Sequence, residues 1–344
     1  MKRIIAAIVI FIGFVTAWQM LSVVKIKVVG QPSSTGLIAS QLEQPFFATL
    51  QKNTGIPIEV DFKTLDKLGF EDTYELYMMK DGVFDLVSLR LIQNTQHEIT
   101  LEGLDLVGLN LDFAKARTLA YAYLPVVDKH LQEKFHVKLL GFWSFGPQVL
   151  FCSKEISRLS DFKKIKIRVS SAAMAQFVTS LGAIPAVISF DETKNALQNH
   201  IVDCAISSAT SASAAGWLEF TKYYLPIAFN NGINAYAIWL SKWNLLSDKQ
   251  QEILQAAFDK HIDNIWQYSQ KLRKETEDCI MAKDACKGKK YEIIKIELPG
   301  EDQAYINNKF KNTSFKKWAE SCNQEYPNCE KEWLSLAGPV AGIK

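Results

Sequence analysis

Neither sign of charge dominates this chain of 344 residues: 39 lysines and arginines stand against 37 acids, a formal net charge of +2. Two of the positive charges, Lys2 and Arg3, sit at the extreme N-terminus. Without them the balance is zero, which leaves no basic excess for nucleic acid or an anionic membrane surface. Histidine is scarce, with five residues scattered at His97, His130, His136, His200 and His261. Only His200, Asp203 and Cys204 fall close together, and at a helix end passing into a strand they would not share a face, so no metal site is expected. The chain has no C-x-x-C pair, G-x-S-x-G elbow, Walker sequence or dinucleotide fingerprint, which removes the main redox, hydrolase and nucleotide readings. No enzyme activity and no cofactor are expected.

What is present is a globular composition, 48% hydrophobic with mixed charge, in a chain long enough for two lobes. Lys2 and Arg3 followed by the uncharged run 4–17 have the n-region and h-region of an export signal, with Val15-Thr16-Ala17 as a small-residue cleavage site. Residues 1–17 are therefore read as a signal peptide and the protein as periplasmic. The alternative is an uncleaved anchor over residues 4–24, near the length that spans a bilayer. Six cysteines in an exported chain point to disulfides. Cys279 with Cys286 and Cys322 with Cys329 each enclose a short polar loop that a local bridge could close. Cys152 and Cys204 lie in strand-like runs and are either buried thiols or a pair across neighbouring strands.

Along the chain, strand and helix patterns alternate, which predicts an α/β fold with mostly parallel sheets. Residues 24–30 read as the first strand, a helix runs to about 53, and 58–62 form the next strand. A helix over 71–80 precedes a buried strand over 84–89, and a long helix over 112–135 precedes a strand over 137–143. The glycines and proline of Gly141-Phe-Trp-Ser-Phe-Gly146-Pro147-Gln148 mark a first crossing between lobes. This gives a first lobe at 24–145, to which 238–265 returns, and a second at 146–237. Ser247-Asp-Lys-Gln250 is a capping box opening a helix over 247–282, with apolar residues at helical spacing, long enough at about 50 Å to brace both lobes. Residues 283–344, polar and cysteine-bearing, read as packing against the first lobe, with a short strand over 291–298 and a helix near 315–320.

The most informative stretch is 164–208. Ile165, Ile167 and Val169 alternate with Lys166 and Arg168, so one strand face is apolar and the other charged. Arg168 projects from the charged face just before the Ser170-Ser171 turn, at a strand's carboxyl end, where open α/β sheets bind ligands. A guanidinium there can grip a planar carboxylate with two parallel hydrogen bonds. The alternative is a solvated surface arginine. Lys166-Ile167-Arg168, with Leu181-Gly182-Ala183, Pro185, Phe190-Asp-Glu192 and Val202-Asp203, resembles the solute-binding proteins of TRAP transporters, the DctP-type periplasmic receptors. Gly82-Val-Phe-Asp85 matches that family's G-x-x-D, and the long helix resembles the one that crosses the whole molecule there. The resemblance implies a two-lobed periplasmic binding protein in which Arg168 holds the substrate carboxylate.

Other candidates surround that arginine. Arg90 follows a strand and either contacts ligand or pairs at the surface with Glu98 or Asp85. Gln148 stands where many members of the family carry a second arginine, so the two-arginine grip of sialic-acid receptors is not expected. Ser207 stands where the family often has asparagine. Trp143, Phe145, Trp217, Phe229 and Tyr236 are dense near the supposed cleft, each with core packing as its alternative, and Asn234 completes the candidate set. Together they favour an aromatic or branched 2-oxo or 2-hydroxy acid, then a dicarboxylate. The resemblance implies delivery of this small organic acid to TRAP membrane permease subunits. A membrane-anchored module that senses the ligand without transport is the alternative.

Overall fold

The computed structural model of the protein describes residues 23–109 and 111–343; the signal and anchor readings of 1–17 and 4–24 lie outside the described residues, apart from 23 and 24. Two lobes each contain one twisted sheet. The first has the strand order β2 (Ile58–Thr64), β1 (Val24–Gly30), β3 (Leu86–Arg90), β10 (Ile233–Trp239), β4 (Val137–Ser144). The second runs β11 (Ile294–Lys295), β9 (Tyr223–Asn230), β5 (Gln148–Cys152), β8 (Cys204–Ser208), β6 (Lys166–Val169), β7 (Ile184–Val187).

Each sheet is parallel except for one strand. β10 runs antiparallel to β3 and β4, and β5 antiparallel to β8 and β9. These reversed strands are the two that enter from the other lobe. The remaining strands of each sheet, β11 apart, end at the interlobe cleft, so a chain arriving through the cleft must start there and run the opposite way. One sheet boundary differs from the sequence expectation. The whole of β10 belongs to the first sheet, so the return crossing lies at 230–233 rather than at 237. The strand begins there because Ile233 and Asn234 already pair with Ser144 and Trp143 of β4.

Helices cover the sheets on both faces. α1 (Gln44–Thr54) and α2 (Phe113–Phe135) pack in the first lobe, and Asp112 caps α2 by accepting from the Lys115 amide at 2.8 Å. α3 (Ala172–Ser180), α4 (Phe190–Gln198) and α5 (Ala209–Ala214) belong to the second, each opened by a serine whose hydroxyl accepts from a first-turn amide. α6 (Asp248–Ile280), 33 residues with the Ser247/Gln250 capping box in place, crosses both lobes. Leu254, Phe258, Ile262, Ile265 and Trp266 enter the first core, and Ile280 enters a cluster of the second with Trp217 and Tyr224. Trp266 Nε1 donates to the Phe142 carbonyl at 2.7 Å, while Glu277, nearer the other end, accepts from Tyr224 OH at 3.2 Å.

The C-terminal segment departs most from expectation. β11 extends the second sheet, and Leu298 with Ile306 of α7 (Gly300–Lys309) joins that lobe's core. A π-helical turn, Phe310–Phe315, then leads to α8 (Lys316–Glu325) and α9 (Cys329–Leu336) on the first lobe. There Trp318 and Trp333 are buried and donate to the carbonyls of Ile99 at 3.0 Å and Gly103 at 2.7 Å. The segment is thus a strap across both lobes, more helical than its polar sequence suggested.

Cys279–Cys286 and Cys322–Cys329 are bonded, and Cys152 is bonded to Cys204, its directly opposed partner between β5 and β8. That bond occupies the one cysteine of the His200–Asp203–Cys204 group, while Asp203 pairs with Lys154 at 2.8 Å. Among the described residues, no helix is long and apolar enough to cross a membrane.

Phe258 is fully buried against Phe46, Phe47 and Tyr236. Phe258→Ala should cost about 3–5 kcal/mol in denaturant unfolding through lost burial and a residual cavity. Leu245→Ala, at a side chain 64% exposed, should stay within about 0.5 kcal/mol.

Candidate functional site

The carboxyl ends of β3, β6 and β8 and the starts of β5 and β10 converge on a cavity of about 50 Å³ between the lobes. It is lined by Thr35, Arg90, Ile92, Gln93, Asn234 and Ile233 from the first lobe, and by Arg168, Ser170, Phe190, Ser207, Ser211 and Asn230 from the second. Phe145, Gln148 and Gly232 line it from the crossings. A wider mouth of about 560 Å³ opens beside it, again reaching Arg168 and Arg90. Hydrogen bonds join the lobes around this space: Ser34 Oγ donates to Asp191 Oδ1 at 2.7 Å, and Ser211 Oγ to the Thr35 carbonyl at 2.9 Å.

Arg168 is 3% exposed. The alternation around it identified its face of the sheet but not its burial, because helices and turns cover both faces. Its Nε donates to the Ile188 carbonyl at 2.9 Å and one terminal nitrogen to the Ile206 carbonyl at 3.0 Å, while the guanidinium lies 5.3 Å over the Trp217 ring. Both acceptors are neutral, and no carboxylate lies within 4 Å of Arg168 among the described residues. Burial, reinforced by Arg90 and opposed by Asp72, pushes its pKa down to about 9. A guanidinium has five N–H donors, so two fixed by main-chain carbonyls leave three that can turn to the cavity. A buried positive charge with unused donors is chemically suited to accept an anion.

Arg90 is the last residue of β3 rather than the first of the loop, and its partner is neither Glu98 nor Asp85. Its NH1 pairs with Asp72 Oδ2 at 2.6 Å. Glu75 lies beneath, accepting from the Arg90 amide at 2.9 Å and from Asn94 at 3.2 Å, with its carboxyl pushed up to about 8 by burial and by Asp72. Arg90 therefore reaches the cavity with much of its charge already answered.

Gln148 opens β5, and its amide donates to the Gly146 carbonyl at 2.9 Å, closing the first crossing. Asn234 makes the matching bond to the Gly232 carbonyl at 2.9 Å in the second. Gly232 has φ +58°, which favours glycine, and a Cβ there would lie 2.5 Å from Gln148 Nε2 and so displace that amide. Asp105 pins the second crossing: its carboxylate accepts from the Asn231 amide at 2.7 Å, the Asn230 side chain at 2.8 Å and the Ile233 amide at 3.1 Å. Burial outweighs these donors and lifts its pKa to about 6.

The structure brings Arg168, Arg90, Gln148, Ser207, Phe145 and Asn234 together and leaves three expected residues elsewhere. Trp143, fully buried, packs on Phe145 within the first lobe. Tyr236 is enclosed by its bonds to Glu43 at 2.8 Å and His261 at 3.0 Å. Phe229 meets Phe177 in the second core. All three sit on strands between a sheet and its helices, where aromatic bulk fills the core. Thr35, Ile92, Ser170, Phe190, Ser211 and Asn230 line the cavity without having been singled out. For Ser170 and Asn230, position at a strand's end was the available signal.

A profile of the DctP family, described as bacterial extracellular solute-binding protein, family 7, matches residues 39–319. An uncharacterized protein of Haemophilus influenzae is 23% identical over 242 residues, 69% of this chain and 72% of that protein. A TRAP periplasmic solute binding protein from Desulfovibrio desulfuricans, solved with bound sn-glycerol-3-phosphate, superposes with a TM-score of 0.80 at 18% identity, covering 93% of this chain and 98% of that one. A Bordetella pertussis extracytoplasmic solute receptor binding pyroglutamic acid superposes with a TM-score of 0.78 at 15% identity, covering 91% and 99%. At these identities the superpositions establish the two-lobed fold.

If the Arg168 charge is uncompensated, Arg168→Met should stabilise the ligand-free protein, by about 1–2 kcal/mol once the two released carbonyls meet cleft water. Urea unfolding of the two proteins checks this, and a destabilised variant would mean that the charge is balanced in the empty state.

Proposed function

Because the chain belongs to the DctP family, family 7 of the bacterial extracellular solute-binding proteins, we propose that it is the periplasmic receptor of a TRAP transporter, taking a small organic acid by its carboxylate on Arg168 and handing it to the membrane permease. The family is one of receptors rather than enzymes. The observation that carries the assignment is the Arg168 guanidinium, buried, held by two neutral carbonyls and open to the cavity on its remaining donors.

The rest of the lining narrows the ligand. Gln148, Ser170, Ser207, Ser211, Asn230 and Asn234 offer amides and hydroxyls, while Phe145 and Phe190 are the aromatic rings among the lining residues. With Trp143, Phe229 and Tyr236 in the cores, support for an aromatic body weakens. A compact 2-oxo or 2-hydroxy acid remains, its second oxygen facing the hydroxyls and amides. A dicarboxylate is the next choice, with Arg90 able to meet the far carboxylate from donors that Asp72 leaves free. Both resemble, in size and charge, the anions bound by the superposed receptors. The ligand adds contacts to both lobes at once and so shifts the hinge equilibrium toward closure.

A thermal-shift screen against 2-oxo acids, 2-hydroxy acids, dicarboxylates, aromatic acids and sugar acids tests this reading. At about a hundred times its dissociation constant the ligand should add roughly 2.7 kcal/mol of stability. The shift should vanish in Arg168→Ala, with the variant still folded by circular dichroism. Undiminished binding by that variant would remove Arg168 from the site.

A further inference from the structure

The three disulfides differ in their surroundings. Cys152, Cys204, Cys322 and Cys329 are 2% exposed or less, whereas Cys279 and Cys286 are each half-buried. Cys279 lies in the last turn of α6 and lines a groove of about 330 Å³, which Cys286 does not. Gly36 and Leu37 of the first lobe form one wall of that groove, and α5 with the end of α6 forms another. None of its lining residues lines the cavity around Arg168.

Positive charge surrounds this bond. Residues 283–290 hold four lysines against one acid, Asp284. Lys283, Lys289 and Lys290 pair with Asp278 at 3.1 Å, Glu219 at 2.7 Å and Asp284 at 3.6 Å. Lys287 adjoins Cys286, is exposed on the groove wall and has no ion pair or hydrogen bond among the described residues. Lys287 and Lys289 line the groove against a single acid, Glu275. The Gly288 N–H donates to Cys286 Sγ at 3.3 Å. Cationic and N–H neighbours favour a thiolate, and a favoured thiolate leaves faster in disulfide exchange. Cys286 is thus the sulfur to be expelled, and Cys279, on the groove wall, the sulfur to be attacked.

We propose that Cys279 is an S-thiolation site for a small anionic thiol of the glutathione class, held in the groove with its carboxylates toward Lys287 and Lys289. The incoming thiolate attacks Cys279 Sγ and forms the new S–S bond. The Cys279–Cys286 bond breaks, and its electron pair leaves on Cys286 Sγ, which takes a proton from water. One S–S bond and one S–H bond stand on each side of the exchange, so no further oxidant or reductant is needed. Return attack by Cys286 releases the thiol. The end of α6 is held without the bond: the Ile293 amide donates to the Ile280 carbonyl at 2.9 Å and the Tyr291 amide to that of Cys279 at 3.1 Å, with Ile280 fully buried. An adduct on Cys279 would stand in the seam between Leu37 of the first lobe and α6. The site stands apart from the carboxylate reading at Arg168.

Reduced glutathione, added to the folded full chain at low salt, is the probe. Freed thiols are trapped with iodoacetamide, and each modification is located by peptide mass mapping. Glutathione should appear on Cys279 and the trapping group on Cys286, with Cys152–Cys204 and Cys322–Cys329 intact. Per thiolate, glutathione should react about threefold faster than neutral β-mercaptoethanol, an advantage lost in high salt. Lys287→Gln, at an exposed side chain, should slow glutathione and leave β-mercaptoethanol unchanged. Glutathione found on Cys286, first reaction at either buried pair, or equal rates for the two thiols would overturn the site. So would a glutathione rate left intact in Lys287→Gln.

Discussion

The charge on Arg168 is buried without a counter-charge, and much of the architecture serves to keep it there. Removing a guanidinium from water is costly, and a carboxylate alongside would relieve that cost. In place of one, the fold supplies two main-chain carbonyls and an aromatic ring. The Ile206 carbonyl belongs to β8, the Ile188 carbonyl to the turn leading from β7 into α4, and Trp217 to the turn after α5. The donors are thereby aimed by backbone rather than by flexible side chains, and the charge stays free for a ligand. A salt bridge at this point would stabilise the empty protein and compete with any anion that enters the cavity. Arg90, tied to Asp72, shows that second arrangement only one cavity wall away.

The lobes that enclose the cavity are joined by two chain crossings beside it. Each sheet is entered by one reversed strand, and each entry carries a glycine at positive φ: Gly146 at +100° before β5 and Gly232 at +58° before β10. Side chains fasten these crossings to each other through Ser144, whose hydroxyl bonds the Asn231 carbonyl and receives the Gly146 amide, and through Asp105 beneath. The hinge is therefore polar and hydrogen-bonded on a short path rather than a slack linker. Two packed arrangements separated by a small free energy are what a ligand can select between.

Period-two alternation and the punctuation of glycine and proline made the strands legible in the sequence; the strand-end rule pointed to Arg168 and Arg90, and the family resemblance to Gln148 and Ser207. Side-chain direction was less accessible. Trp143 and Tyr236 belong to strands flanking the cleft, and only the pairing of β10 between β3 and β4 decides that their rings enter the core. The burial of Arg168 likewise depends on Trp217, 49 residues further along the chain. In residues 283–344 local propensity is weak. Helices α8 and α9 are joined by the Cys322–Cys329 bond and anchored by Trp318 and Trp333 against carbonyls more than 200 residues earlier, so their order comes from tertiary contacts.

The strap and α6 together restrict how the lobes can separate. Residues 248–280 contain neither glycine nor proline, and sharp helix kinks arise at such residues or at π-bulges. α6 is thus a strut fixed to the first lobe by Phe258, Ile262, Ile265 and Trp266, reaching the second at Ile280 and Glu277. Beside α6 the lobes are joined by the crossings 144–148 and 230–233, by the strap, and by the segment around Val107, which enters the second core. In the strap the π-helical turn Phe310–Phe315 marks the passage from one lobe to the other, the kind of local irregularity at which a helix yields. The two glycine crossings, the second-lobe end of α6 and the π-helical turn of the strap are the points at which the lobes are joined with the fewest packed side chains between them. The cavity around Arg168 lies between these elements, and most of its lining belongs to none of the three apolar clusters, which is why that lining is set by how the lobes meet rather than by either core.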